Sequence, residues 1–273
     1  MTSSGLDRYL RRIGYSGPLT PTLETVNAIV AHHTRSIPFE NLDPFRGVPN
    51  KLDLPSLYAK LVDGGRGGYC YEQNLLLADI LSQLGFTFDR LAARVVWGLP
   101  EDEVRARTHM LLLVDVEGTR RVVDVGFGGM MLTGTLVLDT AEPQQTPLEP
   151  FCLVQRPTPT GVEYIQQALV NDEWLPIYRF DLHPQLPVDY VPTNWYLSTS
   201  PDSHFVTGLL AARAESDRRY ALRDLRFTVH HFGGDSQRRM LASAGELREV
   251  LEEHLHIATG GIDVDDVYAR LTS

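Results

Sequence analysis

The chain has 273 residues, with 25 Lys plus Arg against 35 Asp plus Glu and a formal charge of −10; 43% of it is hydrophobic and 22% charged. That is an ordinary globular composition, which excludes global disorder, and the length suits about two compact units or one large one. An acidic chain is a poor general nucleic-acid binder, because neutralising phosphates needs a basic face, although a local basic pocket for a small anion stays open. The two cysteines, Cys70 and Cys152, form neither a disulfide framework nor a Cys-x-x-Cys zinc pattern. The opening residues carry no apolar signal segment. The longest apolar run, residues 110–114, is far short of the ~20 residues of a membrane helix. A soluble, reducing, cytoplasmic setting with no membrane partner is the expectation.

The first third reads as helical. Residues 7–13 form a short amphipathic segment. Residues 22–33 place Leu23, Val26, Ile29 and Val30 at helical spacing, with Thr20 or Thr22 as cap and Pro21 near the first turn. Residues 36–42 (SIPFENL) are extended or turn-like because of Pro38, and 54–62 form another short helix. Residues 63–68 (DGGRGG) are a glycine-rich loop. Residues 72–84 form a strong helix through Leu76, Leu77, Ile80, Leu81 and Leu84, with Gly85 at its C-terminal stop.

The period then changes. Residues 91–97, 108–116, 120–125, 136–138, 151–155, 162–169 and 174–180 are short β-branched or leucine-rich runs bounded by turn residues, and read as strands. Residues 141–150 read as a loop, and the chain beyond Leu182 as irregular up to Pro192. Segments 194–199 and 204–211 come next, then strands within 220–231 and helices at 243–256 and 264–271. There is no internal repeat. Helices, then strands, then a mixed tail indicate an α+β fold with segregated elements.

Cys70 lies between the glycine loop and the 72–84 helix. A thiol at a helix N-terminus feels the positive end of the macrodipole, which favours the nucleophilic thiolate. Glycines 64, 65, 67 and 68 allow close backbone approach, and Arg66 adds positive charge. The same residue type is also a common small core filler.

A nucleophilic thiol needs a base, and His109 has the best local setting. With Glu117-Gly118 as a two-residue hairpin loop, His109 faces Gly126 and Asp124 faces Leu111. Asp124 then shares the face of His109 as its diagonal neighbour, about 7–8 Å away between Cα atoms. An Asp inside Val122-Val123-Asp124-Val125 is expensive to bury unless paired. The pair suits either a structural ion pair or a base with its orienting carboxylate. With Cys70 it makes a Cys–His–Asp arrangement.

Other signals are weaker. Gly126-Phe127-Gly128-Gly129 fails the dinucleotide fingerprint, since its sixth position is Met131, and no P-loop motif occurs. The pairs His32-His33, His230-His231 and His254/His256 lack partners for a metal site. Cys152 reads as an inert strand residue. Trp97, Trp174 and Trp195 suit core or pocket walls.

Residues 66–74 (RGGYCYEQN) resemble the nucleophile signature of the arylamine N-acetyltransferases. Residues 37–42 (IPFENL), Thr108-His109, 124–128 (DVGFG) and 194–205 (NWYLSTSPDSHF) match further motifs of that family in order. The resemblance spans about residues 37–205, and the length is that of bacterial members.

It implies a helical bundle over residues 1–86 carrying the nucleophile, a β-barrel over 87–192 carrying His and Asp, and an α/β lid over 193–273. The bundle and barrel are implied to form a cysteine-protease-like core. It implies acetyl-CoA as donor and an arylamine, arylhydrazine or N-hydroxyarylamine as acceptor, with no metal. Cys70 is then acyl carrier, His109 base and Asp124 orienter. Phe39, Tyr71 and Phe127 map to the acceptor site, and Trp97, Thr108, Phe127, Gly128, Gly129 and Phe205 to coenzyme A. Arg66 and Glu40 map to supporting roles.

The sequence departs from the pattern at residues 130–134 (MMLTG), which bears on acceptor choice. A cysteine amidase or hydrolase with the same triad and a non-catalytic coenzyme-A-binding protein are the rival readings. Self-association is left open.

Overall fold

The computed structural model describes residues 4–100, 103–159 and 161–273. Helix α1 (Gly5–Ile13) starts at a capping box: Ser4 Oγ accepts the Asp7 N–H while Asp7 accepts the Ser4 N–H. Helix α2 (Leu23–Ser36) is capped by Thr22, whose hydroxyl accepts the Thr25 N–H, so Pro21 lies before the cap and not in the first turn. The two-residue strand β1 (Phe39–Glu40) and a single helical turn, α3 (Leu42–Phe45), come next. Helix α4 (Leu54–Leu57) runs on into a π-helical turn over Tyr58–Asp63.

Helix α5 (Cys70–Gln83) begins two residues earlier than its apolar pattern indicates. Its first turn is polar, and Glu72 at the third helical position reaches back to accept the Tyr69 N–H at 3.1 Å. Leu76, Leu77, Ile80 and Leu81 are fully buried, each worth about 1.5–3 kcal/mol. Gly85, at φ +86°, ends the helix in the left-handed conformation expected of it. The Gly85 and Phe86 N–H groups bond back to the Ser82 and Leu81 carbonyls.

An eight-stranded antiparallel sheet succeeds it: β2 (Thr87–Val95), β3 (His109–Val116), β4 (Thr119–Val123), β5 (Leu136–Val137), β6 (Gln144–Gln145), β7 (Pro150–Thr158), β8 (Gly161–Val170) and β9 (Glu173–Phe180). The order is β5-β4-β3-β2-β9-β8-β7-β6, and β5 comes up beside β7, so the sheet curls into a near-closed barrel. The loop expected at 141–150 contains β6 and the start of β7.

Strand β3 is buried on both faces. Met110, Leu112, Val114 and Val116 pack with the helices, while Leu111 and Leu113 face the barrel interior. By the alternation of strand side chains, His109 shares the interior face. The β3–β4 ladder runs from Val116↔Thr119 to Leu112↔Val123, the register set by the Glu117-Gly118 turn. It stops there, so Asp124 and Val125 lie just beyond the strand expected to hold them.

The region expected to be irregular up to Pro192 instead contains helix α6 (Tyr190–Thr199). Pro192 falls in the first helical turn, where the missing N–H has no intrahelical partner to lose. A short turn, α7 (His204–Thr207), precedes a second sheet: β10 (Leu210–Ala214), β11 (Arg218–Arg223), β12 (Arg226–His231) and β13 (Ser236–Met240). Its order is β1-β10-β11-β12-β13, so Phe39 and Glu40 supply its first strand, opposite Ala212 and Ala211. The exposed strand β13 carries no apolar alternation and was not expected. Helix α8 (Ala244–Glu249) continues as a π-helical turn over Val250–His254, and α9 (Val264–Thr272) closes a separate core with Leu222, Phe227 and Leu251. Among the described residues no helix is long and apolar enough to cross a membrane.

Replacing Gly85 with Ala forces a Cβ into the left-handed region and should destabilise the protein by about 1–2 kcal/mol. Urea denaturation would show a lower midpoint with an unchanged slope; an unmoved midpoint would refute the assigned helix stop.

Candidate active site

Helix α5 brings its N-terminus into the gap where β3 and β4 part. Gly126 makes that approach feasible: a Cβ there would sit 2.7 Å from Cys70 Cα and 2.8 Å from Asn74 Nδ2. Backbone groups left unpaired by the ending ladder are taken up by Asn74, one helical turn after Cys70. Asn74 Nδ2 donates to the Met110 carbonyl at 2.8 Å and to Asp124 Oδ1 at 2.9 Å, and its Oδ1 accepts the Val125 N–H at 3.2 Å.

The expected residues meet in this gap. His109 Nε2 is 2.7 Å from Asp124 Oδ2, and Cys70 stands near enough to the ring to help raise its imidazole. With Nε2 engaged, Nδ1 is left for the thiol. Cys70 Sγ also lies 3.6 Å from the Thr108 carbonyl oxygen. Cys70, His109 and Asp124 are all buried, at 3%, 3% and 0% exposure.

Burial alone pushes the His109 imidazole down. The Asp124 charge and its hydrogen bond, with smaller help from Cys70, outweigh that and carry it up to about 10. Burial pushes the Asp124 carboxyl up, but His109, Asn74 and the Gly126 N–H (2.9 Å) hold it below the usual range. Imidazolium facing carboxylate is therefore the state at neutral pH.

Aromatic rings frame the triad. Phe127 stands edge-on to His109 with centroids 5.4 Å apart, and Tyr178 lies 4.9 Å from His109. Phe39 packs on Phe205 at 6.0 Å, and Gly128, at φ +90°, would press a Cβ within 3.3 Å of the Phe39 ring. Asn41 binds the Phe205 and Gly208 carbonyls at 2.7 Å each and so fixes that contact. Tyr71 is 1% exposed, packed between Tyr69 and Tyr190 below the surface. A Cβ at Gly129 would meet open space, and Trp97 stands exposed beyond the end of β2. The structure does not bring Trp97 or Gly129 into the cluster of rings and hydrogen bonds around the triad. Asn74 and Tyr178 were not singled out by sequence; the only signal for Asn74 is its place four residues after Cys70 on one helix face.

Beneath the glycine loop lies a buried charge cluster. Lys60 Nζ bonds Glu72 Oε1 and Asp43 Oδ2 at 2.8 Å each, and Arg66 bridges Glu40 (2.8 Å) and Asp43 (3.0 Å). Asn50 donates to Glu72 at 2.9 Å. Burial pushes Glu72 up to about 7 against the pull of Lys60. Arg66 and Glu40 thus tie the loop to β1. Cys152 is buried in β7, its Sγ 3.4 Å from Gln167 Oε1. Among the described residues no three His, Cys, Asp or Glu side chains are grouped to hold a metal.

His109 is raised on folding, so the stability it contributes is full below its ordinary value of 6.5 and is lost as pH rises through about 10. Imidazole NMR should show its transition near pH 10, and Asp124→Asn should bring it down to 6.5 or lower, because burial then dominates. A parent transition near 6.5 would contradict the ion pair. Lys60→Met leaves the buried Glu72 without its cation, while Asp43 keeps Arg66, and should cost about 3–5 kcal/mol in chemical denaturation. A loss under ~1 kcal/mol would mean that the cluster carries no stability.

The N-acetyltransferase family model matches residues 22–263. An arylamine N-acetyltransferase of Mycolicibacterium smegmatis is 44% identical over 97% of this chain and 96% of its own length. The solved structure of a C70Q variant of a Mycobacterium smegmatis N-arylamine acetyltransferase superposes with a TM-score of 0.91 at 43% identity, covering 97% of each chain. That of a Mycobacterium marinum arylamine N-acetyltransferase in complex with CoA gives 0.88 at 42% identity, over 97% of this chain and 96% of that one. By family model, sequence and fold together, the chain belongs to the arylamine N-acetyltransferases.

Proposed function

We propose that this enzyme moves the acetyl group of acetyl-CoA through an acetyl-Cys70 intermediate to the nitrogen of an arylamine, arylhydrazine or N-hydroxyarylamine. The observation that carries the reading is the buried Asp124–His109 pair beside a cysteine at a helix N-terminus, in a chain of this family.

In the first half-reaction Cys70 reacts as the thiolate, and the His109 imidazolium beside its sulfur is the charge partner that thiolate needs. Cys70 Sγ attacks the acetyl carbonyl carbon, the thioester C–S bond breaks, and His109 returns its proton to the departing thiol. In the second half-reaction His109 takes a proton from the acceptor nitrogen as that nitrogen attacks the acetyl carbon. The bond to Cys70 breaks, and the amide leaves. Asp124 holds the imidazole orientation throughout and stays ionised.

We assign Phe39 and Phe127 to the walls of the acceptor site, with Tyr71 behind them. An arylamine is apolar and largely neutral at pH 7, which suits such walls. Trp97, Thr108, Phe127, Gly128, Gly129 and Phe205 are assigned to coenzyme A. The open space over Gly129 and the left-handed Gly128 suit close backbone approach by a long thioester.

Residues 1–86, 87–192 and 193–273 are our division into bundle, barrel and lid. A cytoplasmic setting fits a working free thiol. A hydrolase with the same triad would replace the amine with water; a binding protein would hold coenzyme A without covalent chemistry.

Intact mass after brief exposure to acetyl-CoA, with no acceptor, separates these readings. The expected result is one acetyl on the parent chain and none on Cys70→Ala, discharged on adding an arylamine. Free acetate accumulating instead of transfer would establish the hydrolase, and tight coenzyme A binding with no adduct the binding protein. Asp124→Asn should lose at least about 100-fold in transfer rate, the lower end of a general base's contribution. Full activity in that variant would overturn the triad.

A further inference from the structure

The chain turns tightly just after the Asp124 segment, where the Met131 N–H donates to the Gly128 carbonyl at 3.2 Å. The near end of this turn sits against the site: Phe127 stands edge-on to His109, and Gly128 lies against the Phe39 ring. Phe127 and Met130 both pack on the barrel core. Met131, 1% exposed, belongs to the core that holds Phe39 and Phe205. Where the turn stands therefore decides how far the Phe127 wall is from the Phe39 wall.

The far end of the turn is gripped from the C-terminal sheet. Arg219, on β11, donates from Nη2 to the Met131 carbonyl at 3.0 Å. It is 3% exposed, and its Nε lies 2.7 and 2.9 Å from the two carboxylate oxygens of Glu149, to which Nη2 also donates. Glu149 is itself tied to the turn. The Thr146 hydroxyl donates to the Glu149 carbonyl at 2.8 Å and pairs with the Thr133 hydroxyl at 3.1 Å, two residues after Met131.

A charge pair alone would be served by a lysine. A planar guanidinium does more, because its fixed fork holds a carboxylate edge-on and keeps one N–H for a carbonyl in a set direction. The orientation leaves Nη1 buried without a partner. Glu149 and Met131 together therefore fix the guanidinium, not the satisfaction of every donor.

We propose that Arg219 is a specificity-determining positioning residue: by holding the Met131 carbonyl it sets where the 127–131 turn stands, and so the width of the acceptor site. The last third of the chain thereby takes part in acceptor choice. The proposal rests on the assignment of Phe39 and Phe127 to the acceptor site made above.

Arg219→Lys keeps a cation beside Glu149 and gives up the planar fork. The test compares kcat/KM of parent and variant for two acceptors, aniline and the larger 4-aminobiphenyl. Acetyl-Cys70 formation by intact mass, Cys70 alkylation by iodoacetamide across pH, and thermal melts run alongside. With the wall released, aniline loses close contacts and its kcat/KM should fall about tenfold, the lower end of what one methylene of misfit costs in an apolar pocket. That of 4-aminobiphenyl should fall by less than about threefold on the same scale. Alkylation should keep the parent's pH profile, because the bonds of His109 and Asp124 are untouched. A folded Arg219→Lys with unchanged preference overturns the proposal, whether both acceptors fall alike or neither moves, since a purely structural ion pair gives that result. Should Arg219→Lys not fold, the double variant Arg219→Met with Glu149→Met leaves no unpaired buried charge, and the same shift in preference is expected of it. An unchanged preference there overturns the proposal equally. A parent that forms no acetyl-Cys70 would instead refute the reading of function, a separate outcome visible before any variant is made.

Discussion

Everything at the site hangs on the wedge that helix α5 drives between two strands. The β3–β4 ladder ends at Leu112↔Val123, and the parting of the two strands beyond it would leave polar backbone groups bare in an apolar core. Asn74 replaces the missing pairing by binding the Met110 carbonyl and the Val125 N–H in one amide. Because Asn74 lies one turn after Cys70, the same contact that stabilises the parted strands fixes where the thiol stands. The remaining donor capacity of that amide goes to Asp124. Folding and catalytic geometry are thus the same set of bonds.

A second set of constraints comes from below. The glycine loop before Cys70 makes its own contacts with no room to spare: a Cβ at Gly67 would lie 2.1 Å from the Pro38 carbonyl oxygen, and one at Gly68 within 3 Å of the Glu72 side chain. Gln73 fastens the same place, donating to the Pro38 and Gly68 carbonyls, while its Oε1 meets His33 Nε2 at 2.7 Å. Segment 38–41 is shared by three layers. It bridges to Gly68, forms the edge of the C-terminal sheet opposite Ala211 and Ala212, and through Asn41 holds the Phe205 backbone. The aromatic frame of the site therefore joins the nucleophile loop to the last third of the chain.

Much of this was legible in the residue order. The hairpin register came from Glu117-Gly118 alone, because a two-residue turn fixes which side chains share a face. That put His109 and Asp124 together before any tertiary contact was known. The helix after Cys70 was clear from its leucines, but its start was not, since the first turn is held by buried polar side chains that break the apolar period. Helix α6 was hidden by Pro192, which the first turn tolerates. Strand β13 was hidden because every one of its residues faces solvent. Tyr178 carried no signal in a run of hydrophobic residues, where only the β-bulge between β8 and β9 tells which ring turns inward.

The sequence by itself determined the local terms: a thiol at a helix N-terminus, a histidine and a carboxylate on one face of one hairpin, and glycines where backbones must nearly touch. These depend on periodicity and turn chemistry, which act over a few residues. Only the tertiary structure decided that the helix end enters the gap between β3 and β4, that Asn74 binds Asp124 while the Tyr178 ring packs beside His109, and that the His109 imidazole is carried up to about 10. Those outcomes depend on desolvation and on partners far apart in the chain, and neither is encoded in the spacing of neighbouring residues.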